Sequence, residues 1–580
     1  MRSQITRRVF LRGSAAILTG LSTFKYSSAQ QKIIGSTDYR STIDKIMQTF
    51  PLAMAQRDIT GTSIALIDGE DTVWSGGFGF TDRFRRTRVT ADTLFHVGSI
   101  SKSFTALGVL KAVDKNLLTL DDPVKRHLPW FVVNSRFSTD EVGKITLRHL
   151  LSHHSGLGTW STVGNPSDPK YHSRRFEDVV KSVRDSWLKF PPGQRFEYSN
   201  QGIDLAGYLL ETVSAEPFAD LMREEILIPL GMTNSTFDQA EATRKESCAV
   251  GYQGKSAVPV VNGIVMPLIA AGGLFASASD LARFVFFHVQ GGKSKRKQIL
   301  PQKLLEEMYT PQLTARDQIS GYGLGIYKAI EHGTARLSHG GLGYGISAHY
   351  RFLPEHRIGV VVLSNQDAAH NAPDLTNGIL ESMLTTKLGG GLPNKPLESE
   401  ENSVIYVDKS TLRRFEGTYM LYEGILFRFK YENGDLFHIV GKDRIKLHIR
   451  SATEFQSGSR LYKFLLAENG KVQGVRIVDP YYDPQTAENS ILHLPLNDSP
   501  ADSHGPNKDG WRRLTGRYNG SFIGLPSEAR ISVEKGNLYL NGELKLIELK
   551  PDFFIAADGE EVIFRGEQLS VGNKTYPKKQ

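Results

Sequence analysis

A chain of 580 residues exceeds one ordinary domain, and 40% hydrophobic with 10% aromatic residues is enough to bury one large core or several. The formal charge of +8 falls to +3 (8 − 5) once Arg2, Arg7, Arg8, Arg12 and Lys25 are set aside, because the first 29 residues hold no acid. So small an excess leaves no electrostatic footprint for nucleic acid, and with Cys248 as the lone cysteine no internal disulfide can form.

The N-terminus reads "TRRVFLRGSAAILTGLSTFKYSSAQ": paired arginines, a short stretch only moderately apolar, then Ser27-Ser28-Ala29 as a small-residue cleavage site. Residues 1–29 resemble a twin-arginine export signal, which implies a periplasmic or extracellular location. The apolar stretch is too short and polar to span a bilayer. No later window of about 18 apolar residues follows, so no stable membrane span is expected.

The pattern predicts a helix over 40–57 and, in 62–80, two strands joined by Asp68-Gly69. Helices are expected at 102–115, 146–153, 176–189, 201–213, 217–227, 279–289 and 301–309. The basic run "GGKSKRKQ" (291–298) reads as a solvated loop. Strands return in "GYGLGIYKAI", "ARLSHGGLGYGISAHYRF" and "RIGVVVLSNQ", and a helix at 368–385 closes the unit. Strands at both ends with helices between predict an α+β domain over 30–388, whose first and last strands are neighbours in an antiparallel sheet.

Residues 389–404 are rich in Gly, Pro and charge and read as a linker. Beyond 405 the chain turns to short strands and repeats itself. "RRFEGTY" (413–419) returns as "RRLTGRY" (512–518), "NGDLF" (433–437) as "KGNLY" (535–539), and Phe455 is followed by Phe553 at a comparable distance. Two antiparallel, β-barrel-like domains are expected at 405–500 and 511–580 with a linker at 501–510; one larger barrel built from both halves stays open.

Ser-x-x-Lys occurs at Ser22/Lys25, Ser99/Lys102, Ser186/Lys189 and Ser294/Lys297, so only context can choose among them. Ser22 lies in the signal, Ser294 in the charged loop and Ser186 inside a predicted helix, its amide already spent there. Ser99 follows the strand-like "TLFHVG", and Gly98 lets the chain turn so that Ser99 opens a helix. There its N–H is unspent and the helix dipole favours negative charge, so one residue can supply both nucleophile and oxyanion donor. Lys102 lies one turn along on the same face. The bland alternative is a plain N-cap serine.

"PPGQRFEYSNQG" sets Tyr198 and Asn200 before a helix: Tyr198 can relay a proton with Lys102, and Asn200 offers donor and acceptor to a substrate amide. In "ARLSHGGLGYGISAHY", His339, Gly340 and Gly341 fall on a strand, where glycines suit something approaching the backbone closely. A substrate acyl group laid along that edge would meet the N–H of Leu342 as second oxyanion donor. Candidate catalytic residues are therefore Ser99, Lys102, Tyr198 and His339, with Asn200, Gly340, Gly341 and Leu342 as candidate substrate-binding positions. His149, His153 and His154 read as structural, and neither metal nor cofactor is expected.

Ser99-x-x-Lys102, Tyr198-x-Asn200 and His339-x-Gly341, in that order, resemble the serine β-lactamase and penicillin-binding protein superfamily. "ITLRHLLSHHSGL", "PPGQRFEYSNQG" and "AAGGLFASASDLARF" are similar to segments around the sites of its class C and D,D-peptidase branch, and the likeness covers about 40–385. It implies a β-lactamase/transpeptidase-like fold, acylation of Ser99, proton movement by Lys102 and Tyr198, and an oxyanion hole from the amides of Ser99 and Leu342. His339, Gly340 and Gly341 stand where β-lactamases usually carry Lys-Thr-Gly. Loss of a permanent charge and a hydroxyl should weaken carboxylate recognition. His-x-Gly and the two β-repeats are instead similar to D-aminopeptidase, esterase and amidase members. The resemblance thus implies a peptidase or amidase for small or D-configured peptides, with cell-wall-derived substrates among them. Carboxylesterase, β-lactamase and a penicillin-binding sensor that is acylated without turnover remain alternatives. An α/β-hydrolase is disfavoured because no Gly-x-Ser-x-Gly occurs.

Overall fold

A computed structural model of the chain describes residues 37–391, apart from 85–86, 136, 138–139, 160–174, 253–267, 314–318, 344 and 367–370. It also describes 409–577, apart from 421–425, 441–442, 458–459, 467–468, 471, 479–489, 494–512, 523–524, 535–536, 542–543, 551–552, 557–560, 566–567 and 572–573. Residues 1–29, read above as resembling an export signal, and most of both expected linkers lie outside the described residues.

The first described helix, α1 (Arg40–Arg57), leads into β1 (Gly61–Asp68) and β2 (Asp71–Gly79), joined at Asp68–Gly69 as the sequence predicts. After α2 (Ser101–Asp114), α3 (Asn200–Ser214) and α4 (Ala278–Val289) come β3 (Gly321–Tyr322), β4 (Tyr327–Glu331), β5 (Thr334–Gly343), β6 (Ile346–Leu353), β7 (Ile358–Ser364) and α5 (Asn371–Lys387). The seven strands form one antiparallel sheet in the order β2-β1-β7-β6-β5-β4-β3, so the first and last segments are neighbours, Thr62 opposite Ser364 and Asp68 opposite Ile358. The run 335–352 is two strands, turning at Gly345 (φ +75°).

Both faces of this sheet are covered. Ile64 and Leu66 of β1 and Val360 and Val362 of β7 pack on α1 and α5, while Ala65, Ile67, Val361 and Leu363 face the larger core around α2, α3 and α4. Alternation puts successive residues on opposite faces, and both faces being buried explains why these strands read as unbroken apolar runs. α2 is buried almost all round, as expected of a helix without a polar face. Its hydroxyls find acceptors: Ser101 Oγ donates to Gly98 O, Ser103 Oγ to Gly325 O, and Thr105 Oγ1 to Ala270 O.

One helix expectation and one loop expectation need correction. The helix from Phe176 ends at Lys181, a 3₁₀ turn covers Ser182–Asp185, and Ser186 is extended, although its N–H is still bonded to Val183 O. The basic run is exposed as expected, but folds into a tight hairpin turning at Lys295 and Arg296, both at positive φ. No helix among the described residues is long and apolar enough to cross a membrane.

The C-terminal half forms two separate antiparallel sheets, nine strands over 417–493 and eight over 516–577, each with its own core. The repeat is structural. Tyr419 Oη donates to Phe415 O at 3.1 Å, and Tyr518 Oη to Leu514 O at 2.7 Å, one buried tyrosine per sheet tying back four residues. Asn433–Gly434, both at positive φ, is a hairpin turn closed by the Glu432–Asp435 pair. Among the described residues no ladder closes either sheet into a barrel, but the edge strands come together: in the second sheet Gly516–Phe522 lies alongside Lys574–Pro577. In the first, the edge strands Asp443–Lys446 and His448–Ile449 are consecutive in the chain but pair with different neighbours on either side of buried Leu447.

Candidate active site

Gly98 sits at φ +50°, a left-handed conformation that glycine adopts without penalty, and it turns the chain from the short strand Phe95–His96 into a 3₁₀ turn, Gly98–Ile100. Ser99 therefore lies in the turn preceding α2, one step earlier than the sequence reading placed it. Lys102, fully buried on the first turn of α2, donates from Nζ to Ser99 Oγ at 2.9 Å and to Ala271 O at 2.8 Å. The carbonyl of Ala271 thus fixes the amine toward the hydroxyl, and a backbone oxygen of this kind has no sequence signature.

The segment 269–277 that supplies this carbonyl is wedged between α2 and α3. Leu274 N donates to Ser101 Oγ and Ala271 N to Asp204 Oδ1, while Phe275–Ala276 pairs with Phe95–His96. Asp204 is wholly buried, and desolvation pushes its carboxyl up to about 7, against the lowering effects of the Ala271 N–H and the Lys102 charge. Sequence reading missed Asp204, although its spacing of four from Asn200 puts both on one face of α3.

Tyr198 is buried, and its ring lies 4.8 Å from Lys102 Nζ. Asn200, the first residue of α3, is buried beside it; its N–H is bonded to Thr159 O at 2.9 Å. Ser199 caps α3, accepting from Gly202 N and donating to Gly158 O. His153 sits behind them, with its ring 4.3 Å from Tyr198 and 4.7 Å from Tyr322. Its Nδ1 accepts the Ser199 N–H at 3.1 Å, which places the proton of the neutral ring on Nε2. Burial first, then the Lys102 charge, holds its pKa well below the usual histidine value. The structural reading of His149 and His154 agrees with their bonds: His149 Nδ1 accepts from Thr146 N in a capping box, and His154 Nδ1 bonds to Ser152 O.

β5 closes the other side. Its residues 339–343 run past the last residue paired with β4, leaving an edge that faces the nucleophile turn. A Cβ on Gly341 would lie 1.9 Å from Val97 O and 3.2 Å from Ser99 N. The close approach that glycine permits here is therefore the nucleophile's own backbone. A Cβ on Gly98 would lie 3.3 Å from Leu342 N, so that amide also faces the turn, while the Leu342 side chain is 57% exposed. His339 is buried on the same face of β5 as Gly341. Its Nε2 is 3.1 Å from Tyr322 Oη and its Nδ1 2.7 Å from Gly340 O. Tyr198, His153, Tyr322 and His339 thus form a continuous wall of rings, Tyr322 and His339 having centroids 5.9 Å apart. Gly340 falls on the opposite face of β5, opposite His349 of β6.

Of the rival Ser-x-x-Lys pairs, Lys189 Nζ is bonded to Glu197 Oε1 at 2.7 Å, both buried, and Ser186 Oγ accepts from Gln201.

A family model described as Beta-lactamase matches residues 41–381. Protein flp of Staphylococcus aureus (strain N315) is 26% identical over 338 residues, 58% of this chain and 65% of that protein. The chain therefore matches just under two thirds of that relative's length. The unguisins hydrolase ungD' of Aspergillus campestris is 32% identical over 237 residues, 39% of this chain and 43% of that protein. Among solved structures, the octameric penicillin-binding protein homologue of Pyrococcus abyssi is 26% identical with a TM-score of 0.53, covering 75% of this chain and 95% of that one.

Proposed function

The chain belongs to the Beta-lactamase family, and from that premise we propose that it is a serine hydrolase cleaving an amide or ester through an acyl-enzyme on Ser99. The observation that carries this reading is the buried Lys102 amine, 2.9 Å from Ser99 Oγ and held there by Ala271 O. In the proposed cycle the Lys102–Tyr198 pair, with one of the two deprotonated, takes the Ser99 proton as Oγ bonds to the substrate carbonyl carbon. The N–H groups of Ser99 and Leu342 bind the resulting oxyanion. The proton passes to the leaving amine or alkoxide as the scissile bond breaks, and water then releases the acid. Asn200 orients the substrate amide.

The favoured substrates are small or D-configured peptides with a free amino end. Support comes from His339: its ring is buried against Tyr322 Oη and Gly340 O, so it offers no exposed permanent cation for a substrate carboxylate. The likeness of residues 1–29 to a twin-arginine signal supports export, which fusion of those residues to a folded reporter would test; a reporter left in the cytoplasm would end that reading.

Labelling with a fluorophosphonate and a penicillin probe, followed by peptide mass spectrometry, tests the centre. The expected adduct is on Ser99, absent in Ser99→Ala and in Lys102→Ala. A label on another residue overturns the assignment. Steady turnover of D-alanine p-nitroanilide is expected alongside. Turnover of p-nitrophenyl acetate alone would make the protein a carboxylesterase, turnover of nitrocefin alone a β-lactamase, and one stoichiometric burst with all three a sensor.

A further inference from the structure

At the end of the sheet remote from Ser99, β4 turns into β5 through Glu331, His332 and Gly333. His332 (φ +51°) and Gly333 (φ +78°), both left-handed, form the two-residue hairpin turn closed by the Glu331–Thr334 pair. This turn buries the ring: its side chain is only 8% exposed, and neither Nδ1 nor Nε2 has a hydrogen-bond partner. The nearest carboxylate oxygen, Glu381 Oε1 of α5, is 3.8 Å from Nε2, beyond hydrogen-bond range. A buried imidazole left without partners is costly, and it asks for a ligand. One ligand atom each from Glu331, His332 and Glu381 lies within 4.8 Å of the others, at a shallow cleft lined also by Leu353, Leu380 and Leu384.

We infer that Glu331, His332 and Glu381 form a binding site for one divalent transition-metal cation of the zinc class, clipping the β4–β5 turn to α5. One imidazole with two carboxylates is a mixed nitrogen and oxygen set suited to such an ion, and poorly suited to calcium, which takes oxygen ligands. The supporting layer is already built. Asn377 Nδ2 donates to Glu381 Oε1 at 3.2 Å, and Arg351 Nη1 donates to Asn377 Oδ1 at 2.7 Å. Arg336 Nε pairs with Glu331 Oε2 at 2.5 Å. Such contacts orient ligating carboxylates. Arg336 also competes for Glu331, so the ion must share that carboxylate with a guanidinium, and micromolar rather than structural-finger affinity is expected. The inference is independent of the chemistry at Ser99, because the site stands at the opposite end of β5 from His339 and Gly341.

The test uses the full chain, stripped with chelator and titrated with zinc by calorimetry. One equivalent should bind and raise the melting midpoint. In His332→Asn, which tolerates the left-handed turn, and in Glu381→Gln, that binding should weaken at least tenfold while the melt in chelator stays cooperative. Hydrogen exchange of the unaltered chain gives a readout that needs no variant: zinc should slow exchange in peptides covering 328–334 and 377–384. Absence of binding, binding unchanged in both variants, or protection elsewhere in the chain would each overturn the site.

Discussion

Gly341 shows how a residue without a side chain can govern the reactivity of its neighbours. With a Cβ there 1.9 Å from Val97 O, Gly341→Ala must push β5 away from the turn that carries Ser99. A displacement of about 1 Å at a reacting centre costs on the order of 100-fold in rate. The fluorophosphonate labelling rate of Ser99 should fall by about that factor in Gly341→Ala. It should stay unchanged in Gly378→Ala, where a Cβ meets nothing within 4 Å. Equal rates in both variants would mean that the strand edge plays no part in acylation. At this scale Ser99, Lys102 and Tyr198 were legible, because a serine behind a flexible glycine and a lysine one turn on are marks that a sequence displays. The Ala271 carbonyl and the tautomer of His153 were not, since a backbone oxygen and a hydrogen bond to Ser199 N leave no residue-type signal.

Among the elements, the segment from Ser186 to Asn200 decides where Tyr198 stands. Lys189, one of the rival pairs in the sequence, proves to be bonded to Glu197, the residue before Tyr198, with side chains 5% and 7% exposed. Glu197 N is also bonded to His153 O, so the ion pair, His153 and Tyr198 are locked together. Removing one partner of a buried pair strands the other charge and costs about 3–5 kcal/mol, whereas an apolar replacement of both costs far less. Glu197→Ala should therefore lose about that much stability in urea unfolding, and the double variant Lys189→Met/Glu197→Leu should recover most of it. A double variant no better than Glu197→Ala would show that the charges themselves, and not their burial, are needed. Periodicity gave the helices at 40–57, 102–115, 201–213 and 279–289 to within about two residues. It overran at 176–189 and missed the turn at Gly345, because a sheet buried on both faces has no polar alternation to mark where a strand stops.

Over the whole molecule, the repeats beyond 405 were legible because each builds its own core around a tyrosine tied back to the backbone. The titration behaviour was not, because it depends on burial. His96, His149, His153, His154 and His288 all have pKa values lowered chiefly by desolvation, His154 to about 4 and His288 to about 3. An unfolded chain protonates its histidines near pH 6.5, so below that pH it takes up protons the fold refuses, and stability falls with acid. Asp204, raised to about 7, and Asp280, also raised by burial, act in the opposite sense. Their contribution is fully present below the unfolded value near 4 and is lost as pH rises through the folded one. Five histidines held below their ordinary value against two carboxylates held above theirs leave the balance on the side of acid destabilisation. The melting midpoint should therefore be highest above pH 7 and drop sharply from pH 6.5 to 5. Asp204→Asn removes one opposing group while keeping an oxygen for the Ala271 N–H, so its midpoint should gain on the wild type at pH 8 and fall more steeply in acid. A midpoint that is flat or rising between pH 7 and 5 would mean that these histidines are protonated within the fold.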